Sequence, residues 1–154
     1  MNTAKNIQVG DELPTITRHI TQGKMTLFVD QLRHRTNIMS LEDFHTQFGI
    51  HFDEEFARSK GLPSTVAQAF QPYAYVSELM TNFFGEGWLR GGKLEMSFIK
   101  MVCPGDRLDV KGTVKEMIPE GSISRIVFDV WCENQNGEKV AVGTASGLRK
   151  RGVS

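Results

Sequence analysis

The chain contains few cysteines, and they form no pattern that binds a metal. Its 154 residues include only Cys103 and Cys132, and neither lies in a Cys-x-x-Cys pair or in another metal-ligand spacing. This arrangement argues against a disulfide scaffold and against a structural zinc site. We interpret the two cysteines as buried free thiols of a cytoplasmic protein, and we predict neither a metal nor any other cofactor.

Long apolar runs and an excess of one charge are absent as well. No run approaches the roughly 20 apolar residues that span a bilayer, and the polar start, MNTAKNIQVGDELP, lacks the apolar core of a signal peptide. Because 18 basic residues balance 18 acidic ones, no strong field favours nucleic acid or an anionic membrane. The chain is therefore predicted to be soluble and cytoplasmic and to bind neither nucleic acid nor a membrane. It is predicted to form one domain over residues 1–154.

The C-terminal half alternates apolar and polar residues with a period of two, which is typical of strands with one wet face. Four strands are predicted, and the apolar residues that mark them are Leu94, Met96 and Phe98; Leu108, Val110 and Val114; Ile126, Phe128, Val130 and Cys132; and Val140 and Val142. Asn136-Gly137, between the last two strands, is a strong hairpin signal. This half is predicted to be an antiparallel meander.

The N-terminal half carries helix signals instead. A strand is predicted over 16–21 and a helix over 24–33, where apolar residues recur every three or four positions. Ser40 and Asp53 are predicted N-caps, because acidic residues follow each of them in a first helical turn. Gly61 is predicted to close the helix that begins after Asp53.

A long apolar segment, Val66 to Phe84, is predicted to form a buried helix, because apolar residues occupy nearly every face of it. Pro72 has no N–H group, so it fits best in a first turn, where that donor would have no intrahelical partner. The regular helix is therefore predicted to begin between Gln68 and Gln71. One buried helix beside an antiparallel sheet predicts an α+β fold in which the sheet wraps around the helix.

Four stretches occur in an order and spacing that carry a family resemblance. They are VGDELP near the start, IHFDEEFA, VAQAF, and GGKLEMSFIKMVCPGDRLDVKGTVKE. Together they resemble the MaoC-like dehydratases and (R)-specific enoyl-CoA hydratases, which have the hot-dog fold, over nearly the whole chain. The resemblance implies a homodimer or higher homo-oligomer with active sites at the subunit interface. It also implies reversible addition of water to the double bond of an enoyl thioester, either acyl-CoA or acyl-ACP, in fatty acid metabolism.

The resemblance implies roles for named residues. His51 matches the family's catalytic histidine, because the residues on both sides of it match the same motif. In the family, a carboxylate and an imidazole hold the water, and a backbone N–H at the start of the central helix polarises the thioester carbonyl. Imidazole titrates near neutrality, and such an N–H is a fixed donor that is already oriented. Substrate binding is accordingly predicted for Gln68, Ala69 and Phe70.

Two places depart from the family pattern. Thr46 stands where the family has aspartate, and Gln68-Ala69 stands where it has histidine and glycine. Threonine does not ionise at neutral pH. Asp43 is predicted to be the second catalytic residue if residues 46–48 bulge outward as an insertion, with Asp53 and His45 as alternatives. Asp43 and Asp53 could instead serve only to stabilise a helix start, where a negative charge is favourable. The sequence alone does not decide between the two roles.

Two other functions stay open as well. The missing aspartate is compatible with a hot-dog protein that binds an acyl thioester without converting it. A thioesterase would need an acidic residue on the central helix, and Glu78 is the one available there. Aromatic residues of this region are interpreted either as the wall of an acyl tunnel or as plain core, and they are Tyr73, Tyr75, Phe83, Phe84 and Trp88.

Overall fold

The computed structural model describes residues 7–35 and 39–150 of the chain, so residues 1–6 of the polar start lie outside the described part. Its strands are β1 (Ile16–His19), β2 (Lys93–Phe98), β3 (Arg107–Glu120), β4 (Ile123–Glu133) and β5 (Lys139–Lys150). Its helices are α1 (Gln22–Arg35), α2 (Leu41–Phe48), α3 (Glu54–Ser59), α4 (Phe70–Phe84) and α5 (Glu86–Gly91), with a 3₁₀ turn at Gly49–His51.

The strands form one antiparallel sheet in the order β1-β3-β4-β5-β2. The predicted meander is confirmed for β3, β4 and β5, and Gly137 turns the last hairpin with φ +73°. The prediction is wrong for β2, which pairs with β5 instead of β3 because β1 occupies the free edge of β3. The alternation of apolar and polar residues indicates which face of a strand is buried, but it does not indicate which other strand lies next to it in the sheet.

One face of the sheet packs on α4. From the helix, Val76, Leu79 and Met80 are at most 3% exposed. They belong to one core cluster with buried residues of the strands, which are Leu108, Val110, Val114, Ile126, Phe128, Val130, Cys132, Val140, Ala141 and Ala145. Burying each large apolar side chain contributes on the order of 1.5–3 kcal/mol. The core therefore fixes α4 against the sheet, as the α+β prediction requires.

Helix α4 begins at Phe70, within the predicted range. It is not buried all round, however, since Phe70 is 66% and Tyr73 36% exposed. Thr81 and Asn82 are exposed as well, whereas Gln71 and Pro72 in the first turn are buried. The prediction of a fully buried helix is therefore wrong at the four exposed positions, because they do not face the sheet. Gly85, with φ +56°, ends α4 and precedes the short helix α5, which the sequence patterns did not predict.

The local end signals of the shorter helices are confirmed. The Ser40 side chain accepts a hydrogen bond from the backbone N–H of Asp43, and the Asp53 side chain accepts one from that of Phe56. Gly61 follows α3 with φ +82°. Of the two thiols, Cys132 is buried as predicted, whereas Cys103 is partly exposed because it lies in the turn before β3.

Candidate functional site

His51 lies at the end of the 3₁₀ turn between α2 and α3 and is partly buried. Its Nδ1 atom lies 2.7 Å from the backbone oxygen of Val66. A carbonyl oxygen can only accept, so Nδ1 carries the hydrogen and the Nε2 atom of the neutral ring keeps its lone pair. The contact with Val66 thus leaves Nε2 as the nitrogen able to take a proton.

Backbone hydrogen bonds hold the residues before α4 against the His51 turn. The N–H of Val66 donates to the oxygen of Ile50 at 3.1 Å, and the N–H of Ala67 donates to the oxygen of Val102 at 2.7 Å. The first bond links this segment to the residue before His51, and the second links it to the chain between β2 and β3. Together they place His51 beside the segment that leads into the central helix.

Gln22, at the start of α1, braces the same region from a third direction. Its Nε2 donates to the backbone oxygen of His51 at 3.0 Å, and its Oε1 accepts from the hydroxyl of Thr65 at 2.5 Å. Thr65 is only 2% exposed, so its hydroxyl depends on this protein partner. No pattern in the sequence pairs a glutamine with a threonine 43 positions away, so this contact could not be predicted from the sequence.

A glycine allows the turn to close. An added Cβ at Gly49 would stand 2.7 Å from a ring carbon of Phe56, which is inside van der Waals contact. The ring of Phe56 in turn lies 4.6 Å from the imidazole of His45, centroid to centroid. Close packing under the turn therefore fixes the backbone that presents His51.

The entrance of α4 offers unpaired donors, as predicted. Ala69 precedes the helix with φ −55° and ψ −30° and provides no side-chain cap. Gln71 and Tyr73 donate their N–H groups to the oxygens of Gln68 and Ala69 at 2.9 and 3.3 Å. Among the described residues, the backbone N–H groups of Ala69 and Phe70 have no hydrogen-bond acceptor. Such N–H groups at a helix start are suited to bind a carbonyl oxygen.

A cavity of about 270 Å³ lies at this entrance. Its lining residues come from the start of α4, from the chain that joins β2 to β3, and from β5; they are Val66, Ala67, Ala69, Pro72, Phe98, Ile99, Lys100, Met101, Val102 and Val140. Most of these side chains are apolar. Of the predicted site residues, Ala69 is the one that borders the cavity directly, and Val66 connects the cavity to His51.

The predicted Gln68 side chain is buried, with 7% of its surface exposed. Its Oε1 atom has no hydrogen-bond partner among the described residues. Phe70 differs, since its ring is mostly exposed. The three residues predicted to bind substrate therefore lie at one helix entrance, where the Gln68 side chain is buried and the Phe70 side chain is exposed.

The predicted carboxylate, Asp43, is exposed on α2. Its Oδ2 accepts from the hydroxyl of Ser40 at 2.6 Å, and its backbone N–H donates to the same hydroxyl at 3.1 Å. Within the described part of the chain, no hydrogen bond joins Asp43 to His51. Thr46, at the family's aspartate position, is likewise exposed. Residues 46–48 are the last residues of α2, so the outward bulge that was predicted for them is wrong.

The two alternative residues contact each other. His45 Nε2 lies 2.8 Å from Asp53 Oδ2, and Asp53 Oδ1 accepts from the N–H of Phe56 at 2.9 Å. The Phe56 amide and, after it, His45 lower the pKa of Asp53 below its ordinary value. Burial raises the pKa of the Cys132 thiol to about 12, which leaves this thiol protonated at neutral pH.

Residues 7–35 and 39–150 contain no cluster of three or more histidine, cysteine or acidic side chains arranged to hold a metal ion. In the same ranges, no helix has the length and apolar character needed to cross a bilayer.

Comparison with known proteins identifies the family. The family described as MaoC like domain matches residues 45–142, which is more than half of the chain. No curated protein sequence matches. Among solved structures, a MaoC-like dehydratase from Rhodospirillum rubrum is similar, with 20% identity, a TM-score of 0.75 and coverage of 99% of both chains.

Two hydratases have the same fold. The unliganded R-hydratase PhaJ1 from Pseudomonas aeruginosa gives a TM-score of 0.72 at 20% identity, covering 95% of this chain and 84% of that one. The (R)-hydratase from A. caviae involved in PHA biosynthesis gives 0.70 at 16%, covering 96% and 99%. These likenesses confirm the hot-dog fold, and the family match covers His51, the central helix and most of the sheet. The chain belongs to the MaoC-like domain family.

Proposed function

We propose that this protein is a hydratase or dehydratase that adds water to, or removes it from, the double bond of an enoyl thioester. The observation that carries the proposal is the hydrogen bond from His51 Nδ1 to Val66, 2.7 Å long. It ties a proton-accepting imidazole to the segment that ends in the unpaired amides of Ala69 and Phe70. A general base and a carbonyl-binding donor are the two groups that hydration requires.

In the forward direction, His51 Nε2 takes a proton from water as the water oxygen bonds to C3 of the enoyl group. The π electrons of the double bond move toward the thioester, whose oxygen gains negative charge. The N–H groups of Ala69 and Phe70 stabilise that oxygen. The His51 imidazolium then gives the proton that it took from water to C2, so the elements of one water molecule appear in the 3-hydroxyacyl product and the imidazole is neutral again. Dehydration follows the same steps in reverse.

Asp43 is the residue we propose to hold the catalytic water beside His51. Its carboxylate is bound to Ser40 at 2.6 Å, so it would have to exchange that partner for the catalytic water. Asp43 and His51 therefore do not form a catalytic pair in the free protein. The acyl carrier, either coenzyme A or acyl carrier protein, is proposed from the family alone, as is a role in fatty acid metabolism. A cytoplasmic location and a single domain over the whole chain stay predictions.

A homodimer is proposed from the surface around the cavity. Strand β2 forms one edge of the sheet, and exposed edges are available for pairing with another chain. Beside that edge, Phe98, Ile99 and Met101 are 44%, 56% and 56% exposed, although all three are apolar and border the cavity. Covering them with a second copy removes apolar surface from water and encloses the cavity.

The catalytic proposal is tested with crotonyl-CoA and longer enoyl-CoAs by the loss of enoyl absorbance. His51→Gln is expected to lower kcat by about 10²–10⁴-fold, because general acid–base groups contribute in that range. His19→Gln is the matched control, since His19 is an exposed histidine on β1 and does not line the cavity at the helix entrance. Turnover that is absent in the wild-type protein, or equal in the two variants, would exclude the proposal.

The dimer is tested by sedimentation of the wild-type protein and of Ile99→Lys. A charge in the middle of the apolar surface is expected to reduce the mass to that of one chain and to lower turnover at the same time. An unchanged mass would show that this surface does not hold two copies together.

Binding without chemistry is the second candidate function. It is favoured by the exposure of Thr46 and by the attachment of Asp43 to Ser40. Calorimetry that detects tight binding of an acyl-CoA, together with absent hydration, would establish this function instead. The thioesterase alternative is weaker, because the Glu78 carboxylate is paired with the guanidinium of Arg18.

A further inference from the structure

A second groove lies between α1 and α4 and has a volume of about 460 Å³. Its lining residues are Arg18, Lys24, Leu27, Phe28, Gln31, Gln71 and Tyr75. None of them borders the cavity at the helix entrance. The volume is within the range of about 300–1,000 Å³ that small-molecule sites occupy. The groove is therefore separate from the proposed catalytic cavity.

The floor of this groove contains an oriented hydroxyl group. Gln71 is only 2% exposed, and its Nε2 donates to the hydroxyl oxygen of Tyr75 at 2.9 Å. Because that oxygen accepts this bond, the proton of the Tyr75 hydroxyl is left to be donated elsewhere. In the described part of the chain, no acceptor for this proton is found. Tyr75 therefore presents a donor toward the groove.

The side-chain amide of Gln71 lowers the stability of the native state. Its Oε1 atom is buried and has no partner among the described residues, and an unpaired buried oxygen destabilises the native state. The contact with Tyr75 is the bond that this side chain does make. Its contribution is thus to hold the Tyr75 hydroxyl in one orientation.

One positive charge in the groove is not neutralised. Arg18 is paired with Glu78 through two contacts, one of them from Nε to Oε2 at 3.2 Å. Lys24 Nζ donates to the backbone oxygen of His19 at 2.9 Å, and no carboxylate of the described residues is paired with it. An ammonium group has three donors, so two of them remain available. Leu27, which is 63% exposed, and Phe28 provide an apolar wall.

We propose that this groove binds an aliphatic monocarboxylate. The carboxylate accepts hydrogen bonds from the Tyr75 hydroxyl and from the Lys24 ammonium, and the hydrocarbon chain lies on Leu27 and Phe28. Charge-assisted hydrogen bonds to a carboxylate are the strong kind. Each methylene group that is fully buried tightens binding by about fourfold. The proposal does not rest on hydratase activity, because a free carboxylate is neither the substrate nor the product of that reaction.

The test is calorimetric titration of the full-length protein with butyrate, hexanoate and octanoate, and with octanol as an uncharged probe. Affinity for the acids is expected to rise with chain length. Tyr75→Phe is expected to weaken octanoate binding by about tenfold, which corresponds to one lost hydrogen bond to a charged group. Lys24→Met is expected to weaken it by a similar factor and to reduce its salt dependence. Lys24→Met is not expected to weaken the binding of octanol, and Tyr75→Phe is expected to weaken it less than that of octanoate, because octanol accepts only a neutral hydrogen bond.

Gln71→Leu separates this function from a structural one. The substitution removes the unpaired oxygen, so the thermal midpoint is expected to stay equal or to rise, whereas octanoate binds several-fold more weakly because Tyr75 is no longer oriented. If Gln71 had only a structural role, Gln71→Leu would lower the thermal midpoint and leave the affinity for octanoate unchanged. Gln31→Leu, on the exposed rim of the groove, is the matched control and is expected to keep the affinity for octanoate.

Two outcomes would overturn the proposal. The first is octanoate that fails to bind at millimolar concentration, or binds equally well to the wild-type protein, Tyr75→Phe and Lys24→Met. The second is a change in sedimentation mass caused by Leu27→Ser, which would show that another copy of the chain covers the groove. His51→Gln is expected to bind octanoate like the wild type, so failure of hydration and failure of this site are distinguishable.

Discussion

His45 and Asp53 join the end of α2 to the start of α3, with Nε2 and Oδ2 2.8 Å apart. The 3₁₀ turn that carries His51 lies between these two helices. The pair therefore fixes both ends of the segment that presents the proposed catalytic imidazole. Both side chains of the pair are partly exposed.

Asp53 is expected to make the folded state acid-sensitive. The amide of Phe56 and then His45 depress the pKa of Asp53 below its ordinary value of 3.8. A carboxyl with a depressed folded-state pKa stabilises the native state above its unfolded pKa, and this stabilisation is lost as the pH falls through the folded value. The loss is therefore expected below about pH 5.

Urea unfolding of the wild-type protein and of Asp53→Asn at several pH values checks this prediction. Asparagine is as good an N-cap as aspartate, so the variant tests the charge and leaves the cap in place. The fall in the free energy of unfolding between about pH 5 and pH 3 is expected to be shallower in Asp53→Asn. Parallel curves for the two proteins would contradict the prediction.

Ala69→Pro is expected to lower activity while the fold persists. Proline favours φ near −65°, and Ala69 already has φ −55°. The substitution removes an N–H group that has no protein acceptor in the described residues, so little stability is at stake. Removing one donor to a developing oxyanion costs about 10²–10³ in kcat. Ala69→Gly keeps the N–H and is expected to retain turnover, and equal rates in the two variants would remove Ala69 from the mechanism.

The contact between Gln22 and Thr65 is expected to show strong coupling. Gln22→Leu leaves the buried Thr65 hydroxyl unpaired, which is expected to reduce the free energy of unfolding by about 1–3 kcal/mol. Adding Thr65→Val removes the stranded hydroxyl, so the double variant is expected to be more stable than Gln22→Leu alone. Denaturant unfolding of all four proteins measures the cycle. Additive single effects would show that the 2.5 Å contact contributes nothing.

A methyl group at Gly143 is expected to separate β2 from β5. An ideal Cβ there would stand 2.1 Å from the backbone oxygen of Glu95. We expect Gly143→Ala to destabilise the fold by about 1–3 kcal/mol, as overpacking typically does. At Gly23, on α1, a Cβ meets nothing within 4 Å, so Gly23→Ala is expected to be neutral or to stabilise by up to about 1 kcal/mol. Thermal unfolding distinguishes the two, and equal midpoints would contradict the role of Gly143.

Local signals in the sequence were sufficient for the helix ends. Ser40, Asp53 and Pro72 act through their own backbone neighbourhood, so each could be interpreted from a few adjacent residues. Strand β2 could not be placed in this way, because its partner in the sheet is chosen by contacts distant in sequence. The same distinction between local signals and distant contacts applies to the candidate site. His51 was predicted from its flanking residues, whereas its contacts with Val66 and Gln22 depend on how separate segments pack.

The position of β2 has a consequence for the order of folding. Phe98 pairs with Ala141 and Lys93 with Ser146, so β3 and β4 both intervene along the chain. Closing so long a loop costs conformational entropy that the β3–β4 and β4–β5 hairpins do not incur. We expect these hairpins to form early and β2 to dock late. Because Phe98 is part of the cavity wall, a nascent or partly refolded chain would have a sheet before it has a cavity, and ligand affinity would report completion of the native state.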